Sequence, residues 1–234
     1  MNGKKLNNKY RSQTLLGEVP KMPVDNSTPI VFTQLSADHI KGAVDVLSRA
    51  FDEDPVFTFY LYDPRRRKFA YRPFFGDFIR SNLRFGQVYV ALMNQRVVAV
   101  SIWRPPGAGA ATPKERFQSF VATLAVRIFF PKTAKGLFQG FHAMHILHPK
   151  EPYWYLGCVG VDTGLQGMGI GTRLLEPVLE LADRTNTLCY VETPFPRDIV
   201  FYQRLGFEIA SESHPFIGAP PVWIMTREPK GVSS

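Results

Sequence analysis

Three features of this chain combine residue types and spacings that suit chemistry. QGMGIG, Gln166 to Gly171, puts three glycines into six positions between the apolar run YWYLGCVGV and the helix-like run TRLLEPVLELAD. Glycine loses more backbone entropy on folding than any other residue, so such a cluster marks a point where bare main chain or φ > 0 is required. Glu192 near the end of LCYVET and Tyr202 in FYQRLGFE add a carboxylate and a phenol, both able to exchange protons. A bound phosphate with proton transfer beside it is the chemistry these residues suit.

Three phosphate-binding patterns compete for the glycines. A nucleotide P-loop needs Lys and then Ser or Thr after its last glycine, whereas Gly169 is followed by Ile170 and Gly171 by Thr172. The dinucleotide fingerprint G-x-G-x-x-G can start at Gly167 and Gly169 but meets Thr172 where it needs a third glycine. Glu192, downstream at a strand end, imitates the ribose-binding acid of that fingerprint and keeps it open. The third pattern is Q-x-x-G-x-G, formed by Gln166, Gly169 and Gly171 between a strand and a helix. Loop N–H groups and the positive end of the helix then face a pyrophosphate.

This third pattern resembles the acetyl-coenzyme A motif of the GNAT superfamily of N-acetyltransferases. A second motif of that superfamily, FYxxxGF, is matched by Phe201, Tyr202, Gly206 and Phe207. HPKEPYWYLGCVGV, the glycine loop, VETPFPRDIVFYQRLGFE and WIMTREP are similar in order and spacing to the puromycin N-acetyltransferase branch, from His148 to Pro229. Before His148 the resemblance is weaker, carried by AFDEDP and by Trp103 in AVSIW.

The resemblance implies an α/β fold with a mixed sheet, of the GNAT acyltransferase type, and a helical insertion between the third and fourth core strands at about 104–152. It implies acetyl-CoA as cosubstrate, no metal, and direct attack by an amine in a ternary complex. The main chain at Val159, Gly160 and Val161 would follow the pantetheine arm, with an N–H there polarising the thioester carbonyl. Gln166, Gly167, Met168, Gly169, Ile170, Gly171 and Thr172 would hold the pyrophosphate. Glu192 is the expected general base, or else a strand-end carboxylate that only orients the acceptor or a loop. Tyr202 is the expected acid for the leaving thiolate, or else a core tyrosine capping a loop. Asp54 and Trp103 are assigned to the acceptor amine.

The elements that must position these residues follow from periodicity and punctuation. IVFTQL reads as a strand, and Ser36 is expected to cap the helix ADHIKGAVDVLSRAF, where Ile40, Val44 and Leu47 recur at helical spacing. Asp52, Glu53 and Asp54 sit near that helix's C-terminus, where negative charge opposes the dipole. Attraction of a cationic amine and simple solvation explain them equally well. A second helix is expected from about Arg66 to Arg84, then a hairpin of VYVALM and RVVAVSIW turning at Asn94–Gln95. After PPGAGAATP, helices are expected over Lys114 to Phe130 and Thr133 to Leu147. YWYLGCVGV reads as a strand buried on both faces, followed by the glycine loop, a helix to about Arg184, the strand LCYVET, the helix DIVFYQRL and the strands GFEIA and PVWIMTR. Pro177 inside the post-glycine helix predicts a kink or an early break.

Composition narrows the functional class. A 45% hydrophobic and 21% charged chain of 234 residues reads as a globular protein with a substantial core. The expected organisation is a flexible basic tail at 1–29, one catalytic domain at 30–229 and a short tail at 230–234. The most apolar run, FVATLAVRIFF, is shorter than the roughly 18 residues of a membrane span and carries Arg127. Cys158 and Cys189 lie in apolar runs and read as buried, reduced thiols, consistent with a cytoplasmic protein. The net charge of +8 admits nucleic acid or a polyanionic small molecule, but RRRK at Arg65 to Lys68 is the one compact basic run and reads as a solvated helix start. His142, His145 and His148 recur every three residues; without cysteines nearby they read as packing or cavity-lining groups rather than a zinc site.

The long segment between Trp103 and Tyr153 carries Phe117, Phe120, Phe129, Phe130, Phe138 and Phe141. Some of these are expected to wall an apolar cavity beside the thioester, favouring a small, partly apolar amine. A coenzyme-binding sensor without turnover, a protein or peptide N-acetyltransferase and a basic nucleic-acid module are the competing readings. The protein is expected to be a monomer or homodimer.

Overall fold

A computed structural model of the chain describes residues 29–108, 131–215 and 217–231. Its elements in chain order are β1 Ile30–Gln34, α1 Ile40–Ala50, α2 Pro55–Tyr60, α3 Pro64–Leu83, β2 Val88–Met93, β3 Arg96–Arg104, α4 Pro131–Ile146, β4 Tyr153–Val161, α5 Ile170–Arg184, β5 Leu188–Thr193, α6 Pro196–Arg204, β6 Glu208–Ser213 and β7 Val222–Arg227. The expected tail at 1–29, apart from its last residue, and the expected helix over Lys114 to Phe130 lie outside the described residues.

The seven strands form one mixed sheet in the order β1-β2-β3-β4-β5-β7-β6. β4 and β5 are parallel, as the strand–helix–strand crossover through α5 requires, and every other pair is antiparallel. On one face α1 and α3 pack over Val90, Val100 and Ile102. On the other, α5 lays Leu175, Val178 and Ala182 over Trp103, Trp154 and Leu156. The turn of the β2–β3 hairpin has φ 51° at Asn94 and 61° at Gln95, the left-handed pair that matches strand twist.

One irregularity in β4 organises the site. Ile102 pairs with Cys158 and Trp103 with Leu156, so Gly157 is an extra residue in β4, a β-bulge. The alternation inverts there: Trp154 and Leu156 face α5, whereas Cys158 joins the α1–α3 face. Pairing with β5 extends only from Tyr153↔Leu188 to Leu156↔Val191. Beyond the bulge the two strands part, and among the described residues no strand pairs with residues 157–161 on that side. The glycines of this strand also admit the helices. A Cβ at Gly160 would lie 2.9 Å from Leu47 Cδ2, and one at Gly157 would lie 2.8 Å from Phe78 Cζ.

Four local expectations change. Ser36 does not cap through its side chain; its Oγ pairs with His39 Nδ1 at 2.8 Å, and a 3-10 turn at Ala37–His39 precedes α1. The segment after DEDP is a helix of its own, α2, which the sequence reading passed over because six residues are too few to display a period. α5 runs unbroken through Pro177. RRRK opens α3 as expected, but Arg67 is buried, donating to Leu61 O at 2.8 Å and pairing with Asp52 at 3.3 Å.

Candidate active site

The glycine loop is fixed by its backbone. Gly169 is the N-cap of α5 with φ 75°, and Gly167 has φ 80°, conformations that L side chains rarely adopt. A Cβ built at either meets nothing within 4 Å, so the loop's main chain borders open space. The first N–H groups of α5 have no partner within their own helix. Gln166 turns its side chain back, its Nε2 donating to Val161 O at 3.2 Å, and Asp162 is tied to Arg49 at 2.6 Å. The first contact holds the loop against the end of β4, and the second ties its start to α1.

A cavity of about 510 Å3 runs from this loop along the parted edge of β4. Its walls include Val159, Gly160, Val161, Gln166, Gly167, Gly169, Ile170, Gly171 and Thr172, all expected from the sequence, together with Glu192 and Tyr202. Met168, the remaining member of the loop, is 46% exposed and lies off this wall. Arg197 and Arg204 add positive charge to the cavity lining.

A second cavity, of about 350 Å3, lies between α2, α3, α4, the middle of β4 and Glu192 near the end of β5. Phe57, Phe74, Phe78, Phe141 and Met144 make it apolar. The two cavities share Phe51, Gly157, Cys158, Glu192 and Pro194, so they meet where β4 bulges away from β5.

At that junction Glu192 is the hub of a polar cluster. Its Oε1 accepts from Tyr190 OH at 2.9 Å and lies 2.9 Å from His148 Nε2; its Oε2 accepts from Tyr155 OH at 3.0 Å. His148 Nδ1 lies 2.6 Å from Tyr153 OH. One proton arrangement satisfies every group: an ionised Glu192, a neutral His148 donating through Nε2–H, and Tyr153 donating to Nδ1. Burial, reinforced by the Glu192 charge, holds the hydroxyls of Tyr153, Tyr155 and Tyr190 above the ordinary phenol range, so all three stay protonated. Register explains how the cluster forms. Tyr155 and Tyr190 are partners across the parallel pair, and period-two alternation puts Tyr153 and Glu192 on the same face.

Tyr202 is 4% exposed, and burial raises its hydroxyl well above the usual range. It lines the first cavity as an O–H donor. Asp54 is 3% exposed and caps α2, its Oδ1 accepting from Val56 N and Phe57 N at 2.9 Å each. The acidic run therefore has structural reasons: Asp54 caps the following helix and Asp52 pairs with Arg67, rather than opposing the dipole of α1. Burial still pushes the Asp54 carboxyl up to about 6, against the pull of those two amides, and it lines the second cavity.

Trp103 corrects the sequence reading. It is fully buried among Trp154, Leu175 and Val178 on the α5 face and lines neither cavity. Alternation gives the cavity side to the next residue, Arg104, which pairs with Tyr155 and lines the second cavity. Cys158 and Cys189 are free and buried, and burial raises both thiols, Cys189 to about 12. Of the three histidines, His145 and His148 line the second cavity with rings 5.2 Å apart. Among the described residues no helix is long and apolar enough to cross a membrane.

Comparison with known proteins agrees with this geometry. Residues 57–207 match the model of the acetyltransferase (GNAT) family. An uncharacterized N-acetyltransferase of Schizosaccharomyces pombe is 22% identical over 211 residues, spanning 84% of this chain and 83% of that protein. A probable serine/threonine-protein kinase of Dictyostelium discoideum is 24% identical over 206 residues, 79% of this chain, which spans only 21% of that relative's length. Among solved structures, the histone acetyltransferase HPA2 and related acetyltransferase of Corynebacterium glutamicum superposes with TM-score 0.64 at 23% identity, covering 88% of this chain and 99% of that one. Arylalkylamine N-acetyltransferase 2 of Aedes aegypti gives TM-score 0.61 at 15% identity, covering 86% and 99%. The likeness of those structures is one of fold. With the family model covering the span from α2 to the end of the FYQRLGF motif, the chain belongs to the acetyltransferase (GNAT) family.

Proposed function

We propose that this chain is an acetyl-CoA-dependent N-acetyltransferase that acetylates a small, partly apolar amine in a ternary complex, with residues 30–229 as one catalytic domain. The observation that carries this reading is the meeting of two unlike cavities at Glu192: one bordered by the glycine loop and bare main chain, the other by aromatic side chains.

The first cavity fits coenzyme A. Positive φ at Gly167 and Gly169 leaves a cradle that a Cβ would enter, and the loop presents N–H groups at the start of α5. Residues 166–172 would hold the pyrophosphate mainly by main chain, with the free edge at Val159, Gly160 and Val161 along the pantetheine arm. When bound, acetyl-CoA supplies an acetyl thioester. An N–H of the parted β4 edge polarises its carbonyl.

Glu192 takes the proton that the amine sheds as its new N–C bond forms, and His148 holds that carboxylate in place through Nε2–H. With two tyrosines and an imidazole on its oxygens, Glu192 retains capacity for one further donor, where an ammonium would dock. Tyr202, held protonated by burial, donates to the sulfur as the C–S bond breaks. Asp54 would contribute negative charge on the far side of the acceptor cavity.

The aromatic lining favours an amine with an apolar body, and a puromycin-type aminonucleoside belongs in the first test panel for that reason. The decisive experiment follows free thiol from acetyl-CoA with a panel of hydrophobic amines, polyamines and lysine-rich peptides. Turnover with the hydrophobic small amines is expected. Acetyl-CoA binding without amine-dependent thiol release from any of them would make the chain a sensor, and turnover of peptides alone would overturn the small-amine reading.

A further inference from the structure

Arg104 occupies the cavity position that the sequence reading gave to its neighbour, and nothing in the reaction outlined above uses it. It ends β3 opposite Tyr155, on the face that carries Glu192, and lines the second cavity. Its Nε is shielded from solvent and has no hydrogen-bond partner among the described residues. No ion pair joins it to a carboxylate among those residues either. Its guanidinium carbon stands 5.7 Å from the centre of the Phe85 ring, a weak contact. A half-buried guanidinium with a dehydrated, unpaired N–H is destabilising unless something completes it. The other charged groups of this cavity already have partners: Glu192 holds His148 and two tyrosines, and Asp54 caps α2.

Guanidinium is a planar fork of donors that matches a planar oxygen group, above all a carboxylate. Resting on the N-acetyltransferase reading, we propose that Arg104 binds a carboxylate or carbonyl oxygen that the acceptor carries close to its reactive amine. The acceptor is then an aromatic or apolar amino acid, or an amide or ester of one, rather than a plain arylalkylamine or a polyamine. Three features divide the work. Glu192 and His148 receive the amine, Arg104 receives the oxygen group, and Phe57, Phe74, Phe78 and Phe141 receive the side chain. A polyamine would leave Arg104 facing a second cation, and a plain arylalkylamine would leave it unpaired.

The test compares phenethylamine, phenylalanine and phenylalaninamide, which share one aromatic body and differ at the oxygen group. For the wild-type chain, kcat/KM for phenylalanine or its amide should exceed that for phenethylamine by at least about tenfold, the scale of a hydrogen bond to a charged group. Arg104→Met should collapse that ratio towards one, mainly through KM, and Arg104→Lys should recover part of it. A preference for phenylalanine assigns a carboxylate to Arg104, and a preference for the amide assigns a neutral carbonyl. Calorimetric binding of the three N-acetylated products to the coenzyme A complex reads the same preference without turnover, and thermal unfolding confirms that the variants fold. Phenethylamine used as well as the other two, or a ratio unmoved in Arg104→Met, overturns the assignment of Arg104 while leaving the transferase standing. Thiol release that no amine stimulates overturns the transferase reading instead, and the product-binding ratio still decides for or against Arg104.

Discussion

The two cavities that meet at Glu192 are built from different materials. One wall of the first is drawn from one continuous stretch, the end of β4 through the glycine loop into α5, and faces residues between Val191 and Arg204. The second is walled by side chains from α2, α3, α4, β3, β4 and β5, which converge only in the fold. A backbone cavity is fixed by φ and ψ, so glycines encode it directly. A side-chain cavity is fixed by packing between distant elements, and its residue types look ordinary in sequence. The first suits a ligand common to many enzymes, and the second can vary with the acceptor.

The largest effect should come from breaking the backbone cavity. Gly169→Val forces a β-branched residue into φ 75° and fills the cradle, a backbone penalty alone of about 1–2 kcal/mol. Calorimetric binding of coenzyme A should fall below detection. Retained affinity would mean that the loop is only a tight turn.

Next, the junction can be disabled without touching the glycine loop. Glu192→Gln and His148→Ala should each lower kcat by roughly 10²–10⁴-fold, the usual range for general acid–base catalysis, with coenzyme A affinity little changed. Loss in Glu192→Gln but not in His148→Ala would mean that the carboxylate works without the imidazole that holds it.

Tyr202→Phe removes one donor from the first cavity and should reduce kcat by about 10–100-fold, the worth of one hydrogen bond to a developing charge. An effect confined to thermal stability would leave Tyr202 as a core tyrosine.

The smallest effect concerns stability of the second cavity's wall. Folding raises Asp54 from 3.8 to about 6, so the native state binds this proton more tightly than the unfolded chain. That contribution is complete below about pH 4 and is lost as pH rises through 6, an amount on the order of 2–3 kcal/mol. Asp54→Asn keeps a capping oxygen and removes the titration. Denaturant midpoints at pH 4 and pH 7 should show wild type losing stability relative to the variant; parallel curves would place Asp54 at its ordinary value.

Much of the architecture was legible because it is local. The Asn94–Gln95 turn, the glycine loop and the helix after it each depend on residues within a few positions of one another. The acidic run was misread because α2 is too short to declare itself, so Asp54 was assigned to the end of α1 instead of the start of its own helix. Trp103 was misplaced by one residue because period-two alternation tells which residues share a face, not which face meets the cavity. His148 was seen as one of three spaced histidines and read as a packing or cavity-lining group. Its pairing with Glu192 depends on β4 and β5 lying side by side, which no local pattern states.

The sequence alone determined where bare main chain borders open space, because a glycine's freedom at positive φ is a property of that residue and its immediate neighbours. Tertiary structure alone decided which side chains surround the second cavity and which of them share protons. The bulge at Gly157 sets the point at which two parallel strands part, and alternation on either side of it sends Trp103 into the core and Arg104 to the cavity. Those outcomes depend on register and on contacts between segments far apart in the chain.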